Sequence, residues 1–319
     1  MMNTTPAGWL EVIEREYLKD FIREGGAAVK FLIPQSEQSR VGLRDGLEAA
    51  AGRNQFQFAF VDAAETRIHL IDRLFYEVAR QIDWDSLAQS YLRRLLADSG
   101  LRLPSTSYDF TLRSLSASNG LPEPLFRTQV HGLIINSLYR DYAMSQEFRF
   151  AMIFLCQAQL DADENPGLSS AIKEWLRGEL RLVSAVRRAL IFQKIARHNA
   201  RHLLFSLAHW LKVAGMSGMV LAIDISRYTD ARRPSDREGG LYYTAAATLD
   251  AYEVLRQLID GTDELEYGFV CVIADALFLA DDRRGLRAYQ ALYMRIADEV
   301  RDRYRQNPLA ALTRLDEAS

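Results

Sequence analysis

Apolar and polar positions follow two different periods along the first part of the chain. Helical spacing of apolar residues over 8–24, 41–51 and 68–82 predicts three amphipathic helices. Two short and continuous apolar runs, residues 29–33 and 56–62, are typical of strands that are buried on both faces. The order helix, strand, loop, helix, strand, helix therefore predicts a parallel sheet covered by helices.

The pattern changes after the second of these strands and its helix. A connection rich in Ser, Pro and Gly occupies residues 101–124, and the stretch 125–213 is almost wholly helical with short breaks. Buried strands are predicted again at 218–225 and 269–274, and each is followed by a charged loop and a helical pattern. The α/β pattern is thus interrupted by a long helical insertion and then resumes.

This alternation predicts a chain divided into three segments. Residues 1–84 form the first part of an α/β core, and residues 85–195 form the mainly helical insertion. Residues 196–319 supply the second part of the core and a C-terminal helix. A length of 319 residues, of which 49% are hydrophobic, is sufficient for a core of this size.

Composition and charge exclude several classes of protein. The net charge is −3, so no global field draws the chain toward nucleic acid or a membrane. The two cysteines, Cys156 and Cys271, lie in apolar contexts without the spacing of a zinc site, which predicts reduced thiols. With no secretory leader and no apolar run of the ~20 residues that a bilayer requires, we expect a cytoplasmic protein without a membrane partner.

The loop after the first strand lies where a phosphate-binding loop normally sits. Such a loop needs the pattern G-x-x-x-x-G-K-[ST], whose glycines, lysine and hydroxyl hold phosphates and magnesium. In this chain the two glycine positions hold Pro34 and Ser39, the lysine position holds Arg40, and the hydroxyl position holds Val41. Proline has no N–H group and valine cannot bind a metal, so each substitution weakens a nucleotide site at this loop.

The strand at 218–225 has the form of the second ATPase motif, which ends in Asp-Glu. The aspartate of that motif holds magnesium and the glutamate activates the attacking water. Here Asp224 is present, but Ile225 occupies the glutamate position and cannot accept a proton. Both motifs therefore keep their apolar scaffold and lack most of the residues that perform the chemistry.

Three ordered segments resemble one protein family. The runs "FIREGGAAVKFLI" (21–33), "ARHNARHLLFSLAHWLKVAGMSGMVLAID" (196–224) and "AYEVLRQLIDG…LYMRI" (251–296) are similar to the ATP-binding proteins of BREX-type phage-defence systems. Those proteins are P-loop ATPases akin to the AAA+ and origin-recognition ATPases. The resemblance implies a P-loop NTPase, AAA+-like fold and ATP binding at the loop after the first strand, and it leaves residues 85–180 poorly matched.

The resemblance also places two further residues. The family's third motif ends a strand with a small polar residue that senses the γ phosphate, and the matching strand here offers Asp275, which would repel a phosphate. Arg295 resembles a position near the family's phosphate-sensing arginine, with an ordinary surface arginine as the alternative. ATP with magnesium is therefore disfavoured as a ligand, and no other cofactor is expected.

A basic stretch in the insertion is the candidate for a nucleic-acid contact. Residues 187–201 are predicted to form one helix with four cations near one side: Arg187, Lys194, Arg197 and Arg201. The alternative is a helix that lies across the sheet with a solvated outer face. His198 and His202 share helical spacing, but without an H-E-x-x-H pattern they predict no metal site.

Two charged loops follow predicted strand ends and could meet a partner or a phosphate. Their arginines are Arg232 and Arg233 in the first loop and Arg283 and Arg284 in the second. Acidic neighbours almost cancel this charge, so solvated loops are the favoured interpretation.

Three functional hypotheses remain. The first is a catalytically inactive subunit that acts as a scaffold or regulator of an active P-loop ATPase paralogue, or of another defence-system subunit. The second is an atypical ATPase that uses Arg40 and Asp224. The third is a module that binds DNA or RNA through the predicted basic helix.

Overall fold

A parallel sheet forms the centre of the α/β part of the molecule. The computed structural model describes residues 5–104, 110–160, 167–226, 241–297 and 307–316. Within these ranges the sheet has five strands: β1 (Ala27–Pro34), β2 (Phe56–Asp62), β3 (Gly218–Asp224), β4 (Gly268–Ile273) and β5 (Leu312–Leu315). Their spatial order is β2-β3-β4-β1-β5, and every neighbouring pair is parallel.

Helices and loops connect the strands and form the remainder of the described chain. The α-helices are α1 (Pro6–Ile13), α2 (Glu37–Arg53), α3 (Ile71–Arg80), α4 (Trp84–Asp98), α5 (Leu112–Ser118), α6 (Glu123–Leu138), α7 (Gln146–Leu160), α8 (Leu168–Arg177), α9 (Ala200–Val213), α10 (Ala245–Asp260), α11 (Leu277–Ala280) and α12 (Gln290–Ile296). A π-helix (Glu14–Phe21) continues α1, and two 3₁₀ helices cover Val183–Ala189 and Leu286–Ala288. No described helix combines the length and the apolar character that crossing a bilayer demands.

The sheet is covered on both faces, which explains its continuous apolar strands. On one face, Trp9 of α1 and Leu47 of α2 pack with Phe269 of β4 in a single buried cluster. Side chains alternate along a strand, so Phe31 of β1 lies on the other face, where it stacks on Phe278 at 6.1 Å. Strands β3 and β4 are buried along their whole length. Since neither face of these strands contacts solvent, apolar residues occupy successive positions.

The chain separates into two compact units. The first comprises Met1–Val78 together with Ser217–Ser319 and contains the sheet. The second comprises Ala79–Met216 and contains α4 to α9. The sequence-based division at residues 84/85 and 195/196 stays a prediction about domains.

Several elements differ from those that the periodicity predicts. The proposed helix over 187–201 is wrong: the 3₁₀ helix ends at Ala189, residues 190–199 form no regular helix, and α9 begins at Ala200. The break coincides with Leu190, whose φ of 55° is left-handed and cannot continue a right-handed helix. The short strand β5 was not predicted, and residues 298–306 of the predicted C-terminal helix lie outside the described residues.

Candidate functional site

The carboxyl edge of the sheet collects the candidate residues. In a parallel sheet all strands end at the same edge, and loops at this edge line the binding crevice. Strand β4 lies between β1 and β3, so the loop after Pro34 and the end of β3 at Asp224 are separated by one strand. Only Gln35 and Ser36 separate β1 from α2.

Ser36 begins α2 as an N-terminal cap. Its side-chain oxygen accepts a hydrogen bond from the Ser39 amide at 3.2 Å, and its carbonyl accepts one from the Arg40 amide at 3.0 Å. Its hydroxyl also bonds with the Ser39 hydroxyl at 3.1 Å. In a phosphate-binding loop, such amides point at the ligand. Here the amides of Ser39 and Arg40 instead form hydrogen bonds with Ser36 in the first turn of α2.

Pro34 continues the sheet where a phosphate-binding loop would turn. It is the last residue of β1 and lies opposite Leu315 of β5. Next to it, the side-chain amide of Gln35 donates to a carboxylate oxygen of Asp316 at 2.9 Å, which ties the connection to the residue after β5. The chain thus stays extended up to the cap of α2.

Arg40 and Asp224 form an ion pair across the carboxyl edge. One guanidinium nitrogen of Arg40 donates to Asp224 Oδ2 at 2.8 Å and to the Ser226 hydroxyl at 2.5 Å. The Ser226 amide donates to the other oxygen, Asp224 Oδ1, at 2.9 Å. The side chains of Arg40 and Asp224 are only 16% and 6% exposed, so a protein group neutralises this carboxylate away from most of the solvent.

The surroundings of Arg40 hold it in its charged form. Burial opposes the charge, but a hydrogen bond with Glu37 and the negative charges of Asp224, Glu37 and Asp62 outweigh burial and raise the pKa of Arg40. Glu37 accepts from the second terminal nitrogen, and its own side chain is largely exposed. The arginine therefore bridges a buried acid on β3 and an exposed acid on its own helix.

The two aliphatic positions of the motifs have different surroundings. Val41 is 41% exposed on α2 and has no oxygen that could bind a metal. Ile225 is buried, and its amide donates to Ile273 O at 2.8 Å, which extends the contact between β3 and β4. Neither side chain can hold or transfer a proton.

The residues that the resemblance placed near a γ phosphate have structural partners. Asp275 follows β4 and accepts a hydrogen bond from the Phe278 amide at 2.9 Å at the start of α11. Arg295 forms an ion pair with Asp260, the last residue of α10. Because α10 runs from the carboxyl end of β3 back to the amino end of β4, Asp260 holds Arg295 near the opposite edge of the sheet, which does not fit a phosphate-sensing role.

The four cations of the basic stretch do not share one helix face. Arg187 lies in the 3₁₀ helix, Lys194 and Arg197 lie in the irregular segment, and Arg201 lies in the first turn of α9. The first three are exposed, whereas Arg201 is half-buried with its guanidinium 6.0 Å from the Phe205 ring. Arg201 therefore differs from the other three in both its exposure and its secondary structure.

The remaining candidates are placed as follows. Arg232 and Arg233 lie outside the described residues, while Arg284 donates to the Tyr243 carbonyl at 2.8 Å and so braces its loop. His198 contacts Gln193 at 3.4 Å, and no group of three metal-ligating side chains occurs in the described part of the chain. Burial raises the pKa of both cysteine thiols.

Sequence reasoning missed Glu37, Ser36 and Ser226 as parts of the site. The capping role of Ser36 has a local signal, since serine is a preferred residue immediately before a helix. Contacts from Arg40 to Ser226 span 186 positions, so no local pattern could reveal them.

The fold and the motif positions agree with one family. A family model described as "BREX system ATP-binding protein BrxC/D" matches residues 20–319, which include all five strands and both motif positions. No curated protein and no solved structure matched the chain. The all-parallel sheet with its covering helices has the P-loop NTPase-like α/β class that the resemblance implied. The chain therefore belongs to the family of BREX system ATP-binding proteins BrxC/D.

Proposed function

We propose that this chain is a catalytically inactive P-loop ATPase-like subunit, which acts as a scaffold or regulator of an active ATPase in a BREX-type phage-defence system. The observation that carries the proposal is the Arg40–Asp224 ion pair. It joins the lysine position of the first motif directly to the magnesium-holding position of the second. In an active site, phosphates and magnesium would lie between these two positions.

The loop after β1 does not fit the phosphates of ATP. A phosphate cradle needs several free amides on a flexible, glycine-rich turn. Here Pro34 lacks an amide hydrogen, the amides of Ser39 and Arg40 are bonded to Ser36, and α2 already begins at Glu37. Only a rearrangement of the first turn of α2 would make room for such a cradle.

The magnesium and water-activating positions do not fit either. Asp224 already bonds Arg40 and the Ser226 amide, so a metal ion would have to displace a charged partner. Val41 offers no hydroxyl to the metal, and Ile225 offers no base for the attacking water. These features together support loss of hydrolysis with retention of the folded core.

A chain with this core acts by contact. The proposed partner is an active P-loop ATPase paralogue or another subunit of the same defence system, since the family description names a BREX system. A subunit related in fold to its partner can brace that partner's site without hydrolysing ATP itself. This last step rests on fold-level analogy.

Calorimetric titration with ATP, with and without magnesium, tests the loss of nucleotide binding. We expect no binding heat for the wild-type chain and none for Asp224→Ala, because the site is already filled by Arg40. The Arg44→Gln variant is the matched control, since Arg44 lies one turn further along α2 and pairs with exposed Asp45. Magnesium-dependent micromolar binding that disappears in Asp224→Ala and persists in Arg44→Gln would overturn the proposal.

The same titration also tests the second candidate function, an atypical ATPase. An atypical ATPase that uses Arg40 and Asp224 is favoured by one observation: both charged groups lie at the sheet edge where P-loop proteins bind nucleotide. That hypothesis requires ATP to separate the ion pair. It therefore predicts the magnesium-dependent binding that the inactive-subunit proposal excludes.

The scaffold role is tested separately with an intact P-loop paralogue encoded by the same system. The paralogue's ATP hydrolysis rate is measured while increasing amounts of this chain are added. We expect a saturable change in the rate that is the same for wild type and Asp224→Ala, because the effect comes from surface contact. A rate that stays constant at every ratio contradicts the scaffold role.

A further inference from the structure

The second compact unit contains an unusual segregation of charge. Between residues 180 and 216 the chain has no Asp or Glu, although the net charge of the whole chain is −3. The same stretch contains seven cations: Arg181, Arg187, Arg188, Lys194, Arg197, Arg201 and Lys212. A stretch of this composition creates a local positive field on a chain that is acidic overall.

Five of these cations are exposed and close together in sequence around one exposed ring. We define the basic surface as Arg181, Arg187, Arg188, Lys194 and Arg197 together with Phe192. Within the described ranges, none of the five cations forms an ion pair. The acidic side chain of Glu147 contacts this segment through Gln193, whose amide donates to it at 2.7 Å. The charges of the surface therefore remain available to a ligand.

Phe192 is presented by an anchored segment. Its ring is 66% exposed, whereas the neighbouring Ile191 and Ile195 are buried. The carbonyl of Gln193 accepts a hydrogen bond from the indole of buried Trp175 at 2.9 Å, which fixes the backbone next to Phe192. Leu190, with its φ of 55°, turns the chain before this segment. The exposed ring is thus held by structure on both sides.

We propose that the basic surface binds single-stranded nucleic acid. Guanidinium and ammonium groups would neutralise successive phosphates, and one base would stack on the Phe192 ring. This combination of a cationic track with an exposed aromatic ring is the general solution for single strands. Four of the five cations are arginines, which bind phosphate with two parallel hydrogen bonds.

The backbone favours a single strand over a duplex. The major groove of a duplex admits an α-helix or a two-stranded ribbon, which carry the side chains that read the bases. The basic surface instead lies on the irregular residues 181–182, a seven-residue 3₁₀ helix and the irregular residues 190–199. Bases inside a duplex are also already stacked, so their faces cannot reach Phe192.

Fluorescence anisotropy with the full chain and a labelled oligothymidylate of about 20 nucleotides tests stacking. We expect binding at low salt that Phe192→Ala weakens about 10-fold and Phe192→Trp preserves, because stacking requires a ring. Leu182→Ala is the matched control, since Leu182 is 70% exposed beside the same surface but cannot stack. Equal affinity of Phe192→Ala and wild type overturns the proposal, as does absence of binding by wild type.

A salt series tests the phosphate contacts. The triple variant Arg187→Gln/Lys194→Gln/Arg197→Gln should reduce the slope of log affinity against log salt by about 2, at about 0.7 per lost contact. The control triple variant exchanges three exposed arginines of the same unit that lie outside the surface: Arg102, Arg113 and Arg140. Equal slopes for the two triple variants contradict the assignment of the site.

Competitors identify the class of ligand. Unlabelled single strands of DNA and RNA should displace the probe. The one that competes at the lower concentration shows whether the surface prefers deoxyribose or ribose. A duplex of the same length should compete at least about 10-fold less well. Equal competition by polyglutamate or by anionic lipid vesicles overturns the proposal, because these polyanions have no bases. Since no ATP enters these measurements, their outcome is independent of the proposed loss of nucleotide binding.

Discussion

At the scale of single residues, the arginine in place of a lysine defines the site. A lysine ammonium is a compact charge, whereas a guanidinium has five donors in a planar fork. The fork lets Arg40 contact Asp224, Ser226 and Glu37 at the same time. Removing either member of such a pair leaves the other charge poorly solvated, so the two positions depend on each other.

The first prediction concerns the stability of this pair. Asp224→Asn should lower the free energy of unfolding by about 3 kcal/mol, because the mostly buried guanidinium of Arg40 loses its buried charged partner and keeps only the exposed Glu37. Urea denaturation at pH 7 measures the change. The double variant Arg40→Met/Asp224→Leu should recover part of the loss, since it leaves no unpaired charge among the buried groups and frees only the exposed Glu37.

A second ion pair on the same helix provides the control. Arg44 and Asp45 are 41% and 58% exposed, and Arg44→Gln should cost at most about 0.5 kcal/mol. If Asp224→Asn costs no more than Arg44→Gln, the buried pair does not stabilise the sheet edge and the account of Arg40 is wrong.

At the scale of secondary-structure elements, charged groups join α10 to α12. Tyr289, at the start of α12, donates its hydroxyl to Glu253 of α10, and Arg256 also bonds Glu253. Hydrogen bonds with Arg256 and then with Tyr289 lower the pKa of Glu253 to about 2. Two helical turns after Glu253, Asp260 pairs with Arg295. The two helices are therefore connected through two successive acids.

The second prediction is a pH dependence that follows from Glu253. Its pKa is lower in the folded than in the unfolded chain, so its contribution is complete above about pH 4.5 and is lost as the pH falls toward 2. Glu253→Gln should therefore destabilise the protein by about 1 kcal/mol at pH 7, and by less at pH 3. Urea denaturation at both pH values measures the difference.

An exposed glutamate of the following turn is the control. Glu264→Gln should change the free energy of unfolding by less than about 0.5 kcal/mol at either pH, because the Glu264 side chain is exposed and forms no ion pair in the described part of the chain. A loss for Glu253→Gln that is as large at pH 3 as at pH 7 would show that the ionised carboxylate is not the stabilising group.

At the scale of the whole molecule, the last described segment closes the sheet. The carbonyl of Pro308 accepts from the Trp9 indole at 3.0 Å, and the carbonyl of Leu309 accepts from the ammonium of buried Lys30 at 2.5 Å. The Phe31 amide donates to Ala311 O at 2.7 Å just before β5 pairs with β1. Residues from both ends of the chain thus cover the edge of β1.

The third prediction is that this segment stabilises the fold and limits association between copies through β1. A chain that ends at residue 306 should lose roughly 3–5 kcal/mol, because Lys30 stays buried without its acceptor and β1 becomes an edge strand. A long, apolar edge strand also promotes association between copies. Thermal denaturation and size-exclusion chromatography measure the two effects.

A shorter truncation is the matched control. A chain that ends at Asp316 keeps β5 together with the Gln35–Asp316 hydrogen bond. It should behave as the full chain in both measurements. If the chain ending at residue 306 is as stable as the full chain and elutes at the same size, β5 is dispensable and β1 tolerates an unpaired edge.

The first four strands could be predicted from the sequence because each has a local cause. Strands buried on both faces must be apolar at every position, and Phe56–Asp62 agrees with its predicted bounds residue for residue. The same reasoning placed Asp224 near a strand end and an altered loop directly after Ile33. Family membership was also predicted from ordered segments and is confirmed by the match over residues 20–319.

Features that depend on distant contacts required the tertiary structure. The four-residue strand β5 exists because β1 offers it an edge, which no periodicity within residues 312–315 can indicate. The strand order and the partner of Arg40, 184 positions away, are likewise results of packing. Local patterns report only interactions within a few residues, whereas the side chains that meet at the sheet edge are selected by how the whole chain buries its apolar surface.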